Sequence, residues 1–147
     1  YPRSVAYELP EVIEEPYEPN ITALLDPDNL KWKHLATPNT PLPTRGPKAE
    51  FEEHSIADQE KRRQMRADNV PEAEMNALFQ DNQVFVEALF DKSGQKGLIG
   101  AFEGGGYMAE GLYRSSQNCI MFTRTSDFCA VCSEAIEKVI DEYTLAP

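Results

Sequence analysis

The sequence has few of the residues that build common catalytic and metal sites. Only two histidines, His34 and His54, occur in 147 residues, and there is no H-E-x-x-H zinc motif. A P-loop, a dinucleotide-binding fingerprint and a G-x-S-x-G nucleophile motif are absent as well. No apolar run approaches the roughly 18 residues that a membrane helix requires. The sequence therefore predicts no membrane-spanning segment and carries no complete catalytic motif of these types.

Positive charge is also scarce. The chain has 14 Lys and Arg residues against 25 Asp and Glu residues, a formal net charge of -11. Binding to phosphate backbones or to anionic membrane surfaces needs several positive charges. The charge balance therefore argues against nucleic acid as a partner, and it is compatible with an extracellular or periplasmic protein.

The three cysteines, Cys119, Cys129 and Cys132, lie close to the end of the chain. An odd number allows one disulfide with a remaining thiol, three thiols, or part of a metal site. Cys129 and Cys132 form a C-x-x-C pair near the start of a predicted helix, where thiolates are stabilised. A redox or zinc-binding role lacks the usual context of a βαβ unit or a fourth ligand. Buried thiols or a structural disulfide are favoured.

Proline is abundant in residues 1–47, which we predict to be an extended arm because proline restricts its own φ and disfavours helix in the preceding residue. Within the arm, Asp26 should cap a short helical turn whose first residue is Pro27. We expect Leu30, Trp32 and Leu35 to anchor the arm on a core.

Residues 48–96 are predicted to be helical. Residues 48–68 combine high charge with good helix formers, and a second helix from Pro71 should end at Ser93-Gly94. One face of this second helix carries an apolar stripe at helical spacing, which indicates core packing. The stripe comprises Met75, Leu78, Phe79, Phe85, Val86, Leu89 and Phe90.

Residues 97–147 contain short strands and a long final helix. Residues 98–103 and 107–113 should be extended, and the glycines at 104–106 should mark a hairpin or a close backbone approach. A tight turn is predicted at 118–123, followed by a helix from Asp127 to Tyr143 capped by Asp127 or Ser126. Its proposed buried face comprises Phe128, Val131, Cys132, Ala135, Ile136, Val139, Ile140 and Tyr143. The fold class is mixed α/β of the α+β kind, in one structural unit.

Several motifs then occur in a specific order. They are Gly100-Ala101-Phe102-Glu103-Gly104-Gly105 with Tyr107, Gly111-Leu112-Tyr113-Arg114, Asn118-Cys119-Ile120-Met121 and Phe128-Cys129-Ala130-Val131-Cys132. Upstream, Glu18-Pro19-Asn20-Ile21-Thr22 and Leu30-Lys31-Trp32-Lys33 add to the pattern. Together they resemble the IgA-peptidase family of bacterial zinc metallopeptidases and cover about half of the chain.

This resemblance implies the C-terminal part of a metzincin-like catalytic domain. Family members carry H-E-x-G-H and a following D-E-Y just before the proline-rich arm, so Tyr1 is interpreted as an internal start. The implied activity is zinc-dependent endopeptidase activity, in which zinc lowers the pKa of a bound water and a glutamate acts as base. Zinc ligands and glutamate would lie outside this chain, in the remainder of the catalytic domain, and this chain alone would be inactive. The implied location is secreted, periplasmic or on the surface of a bacterium.

The resemblance also suggests roles for particular residues. Met121 takes the place of the Met-turn, which forms an apolar floor beneath the zinc in metzincins, although an ordinary core methionine would be equally buried. Glu103 and Tyr107 would be catalytic, with Tyr107 donating to a developing oxyanion. Tyr113 and Arg114 would line the cleft for a protein or peptide substrate. Arg114 could instead form a structural ion pair.

Two other functions are compatible with the sequence. The chain could be a non-catalytic protein-interaction module on a peptidase-like scaffold, or a small redox or zinc-structural domain built on its three cysteines. Residues 48–92 look like an insertion relative to the family, and they could shape substrate access or only pack.

Overall fold

The computed structural model describes residues 13–144, which form three α-helices, a small three-stranded sheet and two short 3₁₀ turns. This confirms the predicted α+β class. The helices are α1 Lys48–Ala67, α2 Glu72–Lys92 and α3 Ala130–Thr144. The strands are β1 Ile21–Thr22, β2 Phe102–Glu103 and β3 Tyr113–Arg114. The 3₁₀ turns are Pro27–Asn29 and Lys33–Leu35.

The chain divides into two compact units, each discontinuous in sequence. Unit 1 contains the described residues up to Arg45, Leu98–Ser116 and the described residues from Phe128. Unit 2 contains Gly46–Gly97 and Gln117–Asp127. The division of the sequence into 1–47, 48–96 and 97–147 stays a prediction.

The sheet of unit 1 is antiparallel, and β3 is its central strand between β1 and β2. Arg114 is opposite Ile21 on one side and Phe102 on the other, so a single β3 residue joins both edge strands. Each strand is only two residues long. Many buried N–H and C=O groups near the sheet therefore need side chains as hydrogen-bond partners.

The arm contributes the buried centre of unit 1. Trp32 is 1% exposed, and its indole Nε1 donates a 2.7 Å hydrogen bond to the carbonyl oxygen of Gly100. The hydroxyl oxygen of Thr44 accepts from the backbone N–H of Ala101 at 3.0 Å and donates to the carbonyl oxygen of Pro41 at 2.8 Å. A Cβ atom on Gly100 would lie 2.3 Å from the Thr44 hydroxyl oxygen, so only glycine allows this approach.

Local signals in the arm were interpreted correctly. Asp26 caps the first 3₁₀ turn by accepting from the N–H of Asp28 at 3.0 Å, and Pro27 is its first residue. Leu30 and Trp32 are buried, whereas Leu35 is half-buried. The ammonium of Lys31 donates to the carbonyl oxygens of Pro16, Glu18 and Ile21, which fastens the segment before β1. It also pairs with Glu15 at 3.1 Å.

Two cysteines belong to the core of unit 1. The sulfur atoms of Cys129 and Cys132 are 3.5 Å apart, much longer than the roughly 2.05 Å of a disulfide. The amide of Asn20 donates to Cys132 Sγ at 3.3 Å, and Ser115 Oγ is 3.5 Å from Cys129 Sγ. Cys119 is fully buried in unit 2. None of the three described cysteines forms a disulfide, so the interpretation as buried thiols fits the structure.

The final helix differs from its predicted start. It begins at Ala130 rather than Asp127, and neither Asp127 nor Ser126 is its cap. The carbonyl of Asp127 instead accepts from the N–H of Ile120 at 2.9 Å, which closes the preceding loop before the helix can begin.

The predicted buried face of α3 is also only partly buried. Val131 and Cys132 in its first turn are buried. Later stripe residues are exposed. The arm contacts α3 at Cys132 through Asn20 and at Glu134 through His34, and both positions precede the exposed part of the stripe. The exposed residues are Ile136, Val139, Ile140 and Tyr143.

Unit 2 is built on the hairpin of α1 and α2. Val86, Leu89 and Phe90 form its apolar cluster, and the ring of Phe51 stacks on that of Phe90 with centroids 5.7 Å apart. Phe85 was predicted to be core, but it is exposed and its ring stacks on that of His54. No helix among residues 13–144 has both the length and the apolar character needed to cross a membrane.

Replacing Thr44 by Val should lower the free energy of unfolding by about 1–3 kcal/mol, because the buried N–H of Ala101 would lose its side-chain acceptor. Urea denaturation followed by Trp32 fluorescence measures this. The matched change Thr40→Val, in the same segment, should alter the free energy by less than about 0.5 kcal/mol. Equal effects of the two changes would contradict the assigned role of Thr44.

Glu134 should make a pH-dependent contribution to stability. Its carboxylate lies 2.6 Å from Lys138 Nζ and 2.7 Å from His34 Nε2, and hydrogen bonds from Lys138 and then His34 lower the pKa of Glu134 below 4.5. A carboxyl with a lower pKa in the folded chain stabilises fully above its unfolded pKa, and that stabilisation is lost as the pH falls through the folded value.

We therefore expect Glu134→Gln to lower the urea midpoint at pH 6 and to have a progressively smaller effect below pH 4.5. Glu137→Gln, an exposed position on the same helix, is the matched control. A Glu134→Gln effect that stays constant between pH 6 and 3 would disprove the linkage.

Candidate functional site

The glycine-rich segment between β2 and β3 brings two backbone strands unusually close. The N–H groups of Gly104 and Gly105 both donate to the carbonyl oxygen of Leu112, at 2.9 and 3.2 Å. Gly104 has a φ of 103°, and a Cβ on Gly105 would lie 3.3 Å from the carbonyl carbon of Tyr113. The prediction of a hairpin with close backbone approach is confirmed. The positive φ of Gly104 favours glycine there, and a Cβ at position 105 would be a tight contact.

Three of the proposed site residues meet on the sheet. Glu103 and Tyr113 are direct cross-strand partners, and Arg114 follows on the central strand. All three are half-buried. Cross-strand neighbours have Cβ atoms about 4.5–5.5 Å apart, so Glu103 and Tyr113 lie side by side on one face of the sheet, whereas Arg114, the next residue of β3, is on the opposite face.

Tyr107 lies at the tip of the same hairpin. Its side chain is 81% exposed, and its backbone φ of 66° is in the left-handed region that bulky residues rarely adopt. The turn is closed by a 2.8 Å hydrogen bond from the N–H of Met108 to the carbonyl of Gly105. Tyr107 is therefore not a core residue, and its role as a catalytic residue stays a prediction.

The predicted tight turn at 118–123 is present in unit 2. The N–H groups of Phe122 and Thr123 both donate to the carbonyl of Cys119 at 2.8 Å, and the Thr123 hydroxyl donates to Asn118 Oδ1 at 2.7 Å. Cys119 points inward and is fully buried, whereas Met121 is 58% exposed. The burial expected for Met121 is therefore wrong, because the turn directs Cys119 into the core. Met121 lines an open cavity, and its role as a Met-turn stays a prediction.

Both histidines bind other side chains. His34 Nε2 contacts Glu134 in unit 1, as described above. His54 Nε2 is 3.0 Å from Asn82 Oδ1 in unit 2, and its ring stacks on Phe85 with centroids 3.7 Å apart. Among residues 13–144, no histidine or carboxylate belongs to a group of three close ligand atoms. These residues do not fit a histidine-based zinc site.

The cavity that Met121 lines was not anticipated from sequence. It has a volume of about 360 Å³ and is also lined by Asp58, Arg62 and Arg124. The one sequence feature that could have indicated this cavity is Arg124, which is the only basic residue between Arg114 and Lys138. Its partners on α1 are remote in sequence, so their meeting could not be inferred.

Comparison with known proteins identifies the family. No curated protein matches the sequence. The family described as IgA Peptidase M64 matches residues 1–140, nearly the whole chain. The match includes the glycine hairpin, the turn at 118–123 and most of α3, as well as the arm and both helices of unit 2. The chain therefore belongs to the IgA peptidase M64 family.

Proposed function

We propose that this chain is the C-terminal part of the catalytic domain of a zinc-dependent endopeptidase, in which it supplies one wall of the substrate cleft and the Met-turn. Membership of a peptidase family supports hydrolysis of protein substrates. Extending this to zinc dependence and to a metzincin-like arrangement rests on the order of the motifs at 100–107, 111–114, 118–121 and 128–132.

The observation that carries the proposal is the geometry of the glycine hairpin. The two chain segments of the hairpin approach closely at Gly105, the loop between them presents Tyr107 to solvent, and Glu103 and Tyr113 are cross-strand partners. The exposed hydroxyl of Tyr107 can donate to a developing oxyanion, and the half-buried side chains of Glu103 and Tyr113 can contact an extended peptide. Tyr107 would be the donor, and Tyr113 and Arg114 would orient substrate.

Zinc would be bound by residues outside this chain. The described histidines are engaged elsewhere, and the sequence has no H-E-x-x-H motif, so we derive no catalytic step through the metal from these residues. The proposed partners are the remainder of the catalytic domain and a protein substrate, without nucleic acid. A secreted, periplasmic or bacterial cell-surface location fits the net charge of -11.

The first experiment compares this chain with a longer protein that includes an upstream H-E-x-x-H segment. We expect the longer protein to hydrolyse casein, to lose activity with 1,10-phenanthroline and to regain it with added zinc. This chain alone should be inactive. Chelator-sensitive hydrolysis by this chain alone would show that its own residues hold the metal. Peptide binding without hydrolysis by the longer protein would favour an interaction module.

The second experiment tests Tyr107 in the longer, active protein. Tyr107→Phe should lower kcat by about 10²–10³-fold with a small change in KM, because an oxyanion donor acts mainly in the transition state. Tyr17→Phe is the matched control, since Tyr17 is also exposed and should leave kcat unchanged. Full turnover by the Tyr107→Phe protein would remove Tyr107 from the mechanism.

A further inference from the structure

Unit 2 contains a cavity that is lined by two arginines and one aspartate, although the chain as a whole is strongly acidic. The cavity, of about 360 Å³, lies among α1, α2 and the loop 117–127. Two arginines line it, Arg62 from α1 and Arg124 from the loop. Its volume falls in the range of small-molecule and peptide-side-chain pockets.

Both guanidinium groups lie against the same aromatic ring. The guanidinium carbon of Arg124 is 3.5 Å from the centroid of the Phe79 ring, and that of Arg62 is 5.9 Å from it. Stacking on an aromatic face restrains a guanidinium group without using its N–H donors, which lie in the plane of the group. The ring therefore restrains the guanidinium group of Arg124, and the guanidinium group of Arg62 lies within cation–π range of the same ring.

A single buried carboxylate only partly balances these charges. Asp58 is buried, and its Oδ2 atom lies 2.8 Å from Nε of Arg62. This contact is an ion pair rather than a hydrogen bond, because Nε of Arg62 has no hydrogen-bond partner of adequate geometry. Arg124 is exposed at the cavity. Burial and the like charge of Arg62 lower the pKa of Arg124, whereas Asp58 opposes this and Arg66 adds to it.

The remaining lining favours one kind of anion. Phe51, Val86 and Phe122 provide apolar surface beside the arginines. Inorganic phosphate would leave that surface bare and would place two negative charges near Asp58. A carboxylate has one charge and two oxygen atoms that match the guanidinium fork. A peptide that ends in an apolar residue offers this group together with an adjacent hydrocarbon side chain.

We propose that this cavity binds the C-terminal carboxylate of a peptide whose last residue is apolar, with Arg124 and Arg62 as the donors. The site consists of residues of unit 2 alone and does not rest on the proposed peptidase activity. The two proposals can fail separately, because this one is tested by peptide binding and the peptidase proposal is tested by casein hydrolysis.

The test uses the full chain and isothermal titration calorimetry with acetyl-Ala-Ala-Leu bearing a free carboxylate. The same peptide with a C-terminal amide should bind at least about tenfold more weakly, since a charge-assisted hydrogen bond is lost. Arg124→Gln should weaken binding of the free acid by a similar factor. Arg63→Gln removes the same charge from an exposed position on α1 that does not line the cavity, and it should change the dissociation constant less than twofold.

Further arms distinguish the source of the carboxylate. We expect 4-methylpentanoate and inorganic phosphate to bind more weakly than the peptide. Equal binding of 4-methylpentanoate would overturn the peptide assignment, and equal binding of phosphate would overturn the carboxylate assignment. Equal binding of acid and amide peptides would overturn the site itself.

A second variant guards against loss of folding. Arg124→Lys keeps the charge but loses the planar fork, and it should bind the acid peptide with intermediate affinity. Circular dichroism confirms the fold of each variant. Binding that is unchanged in folded Arg124→Gln and Arg124→Lys would contradict the assignment of Arg124.

Discussion

Unit 1 depends on how the proline-rich arm satisfies the buried backbone at 100–101. Strands of two residues cannot pair enough backbone groups by themselves, and an unpaired buried group costs about 1–3 kcal/mol. Trp32 and Thr44 supply the missing partners through the carbonyl of Gly100 and the N–H of Ala101. The absence of a side chain at Gly100 makes this approach possible. Trp32 and Thr44 of the arm are therefore part of the core of unit 1.

The candidate site follows from that constraint. Once residues 100–101 are held, β2 continues from them and the glycine hairpin returns the chain along β3. Glu103 and Tyr113 become neighbours because of the register, and Tyr107 is carried to the exposed tip. The sheet thus fixes the half-buried Glu103 and Tyr113 as neighbours, and the loop between its strands exposes Tyr107.

Unit 2 combines an apolar cluster with a cavity that two arginines line. Its apolar cluster stabilises the helical hairpin, whereas the ring of Phe79 lies near two guanidinium groups at a cavity. Asp58 neutralises one of these charges, which leaves a locally positive pocket in a chain of net charge -11. A like-charge pair of this kind is costly in isolation and becomes favourable when an anion is bound.

Local chemistry in the sequence was sufficient for the helices α1 and α2, the Asp26 cap, the glycine hairpin and the tight turn at 118–123, because each depends on neighbouring residues. It also carried the family resemblance, which the match over residues 1–140 confirms. Tertiary structure alone decided the rest. The carbonyl of Asp127 accepts a hydrogen bond that closes a loop, and α3 begins only after that loop. Cys119 is buried, whereas Met121 is exposed. Arg62 and Arg124 both lie near the ring of Phe79 on α2. Those outcomes depend on contacts between distant segments, which hydrophobic periodicity does not encode.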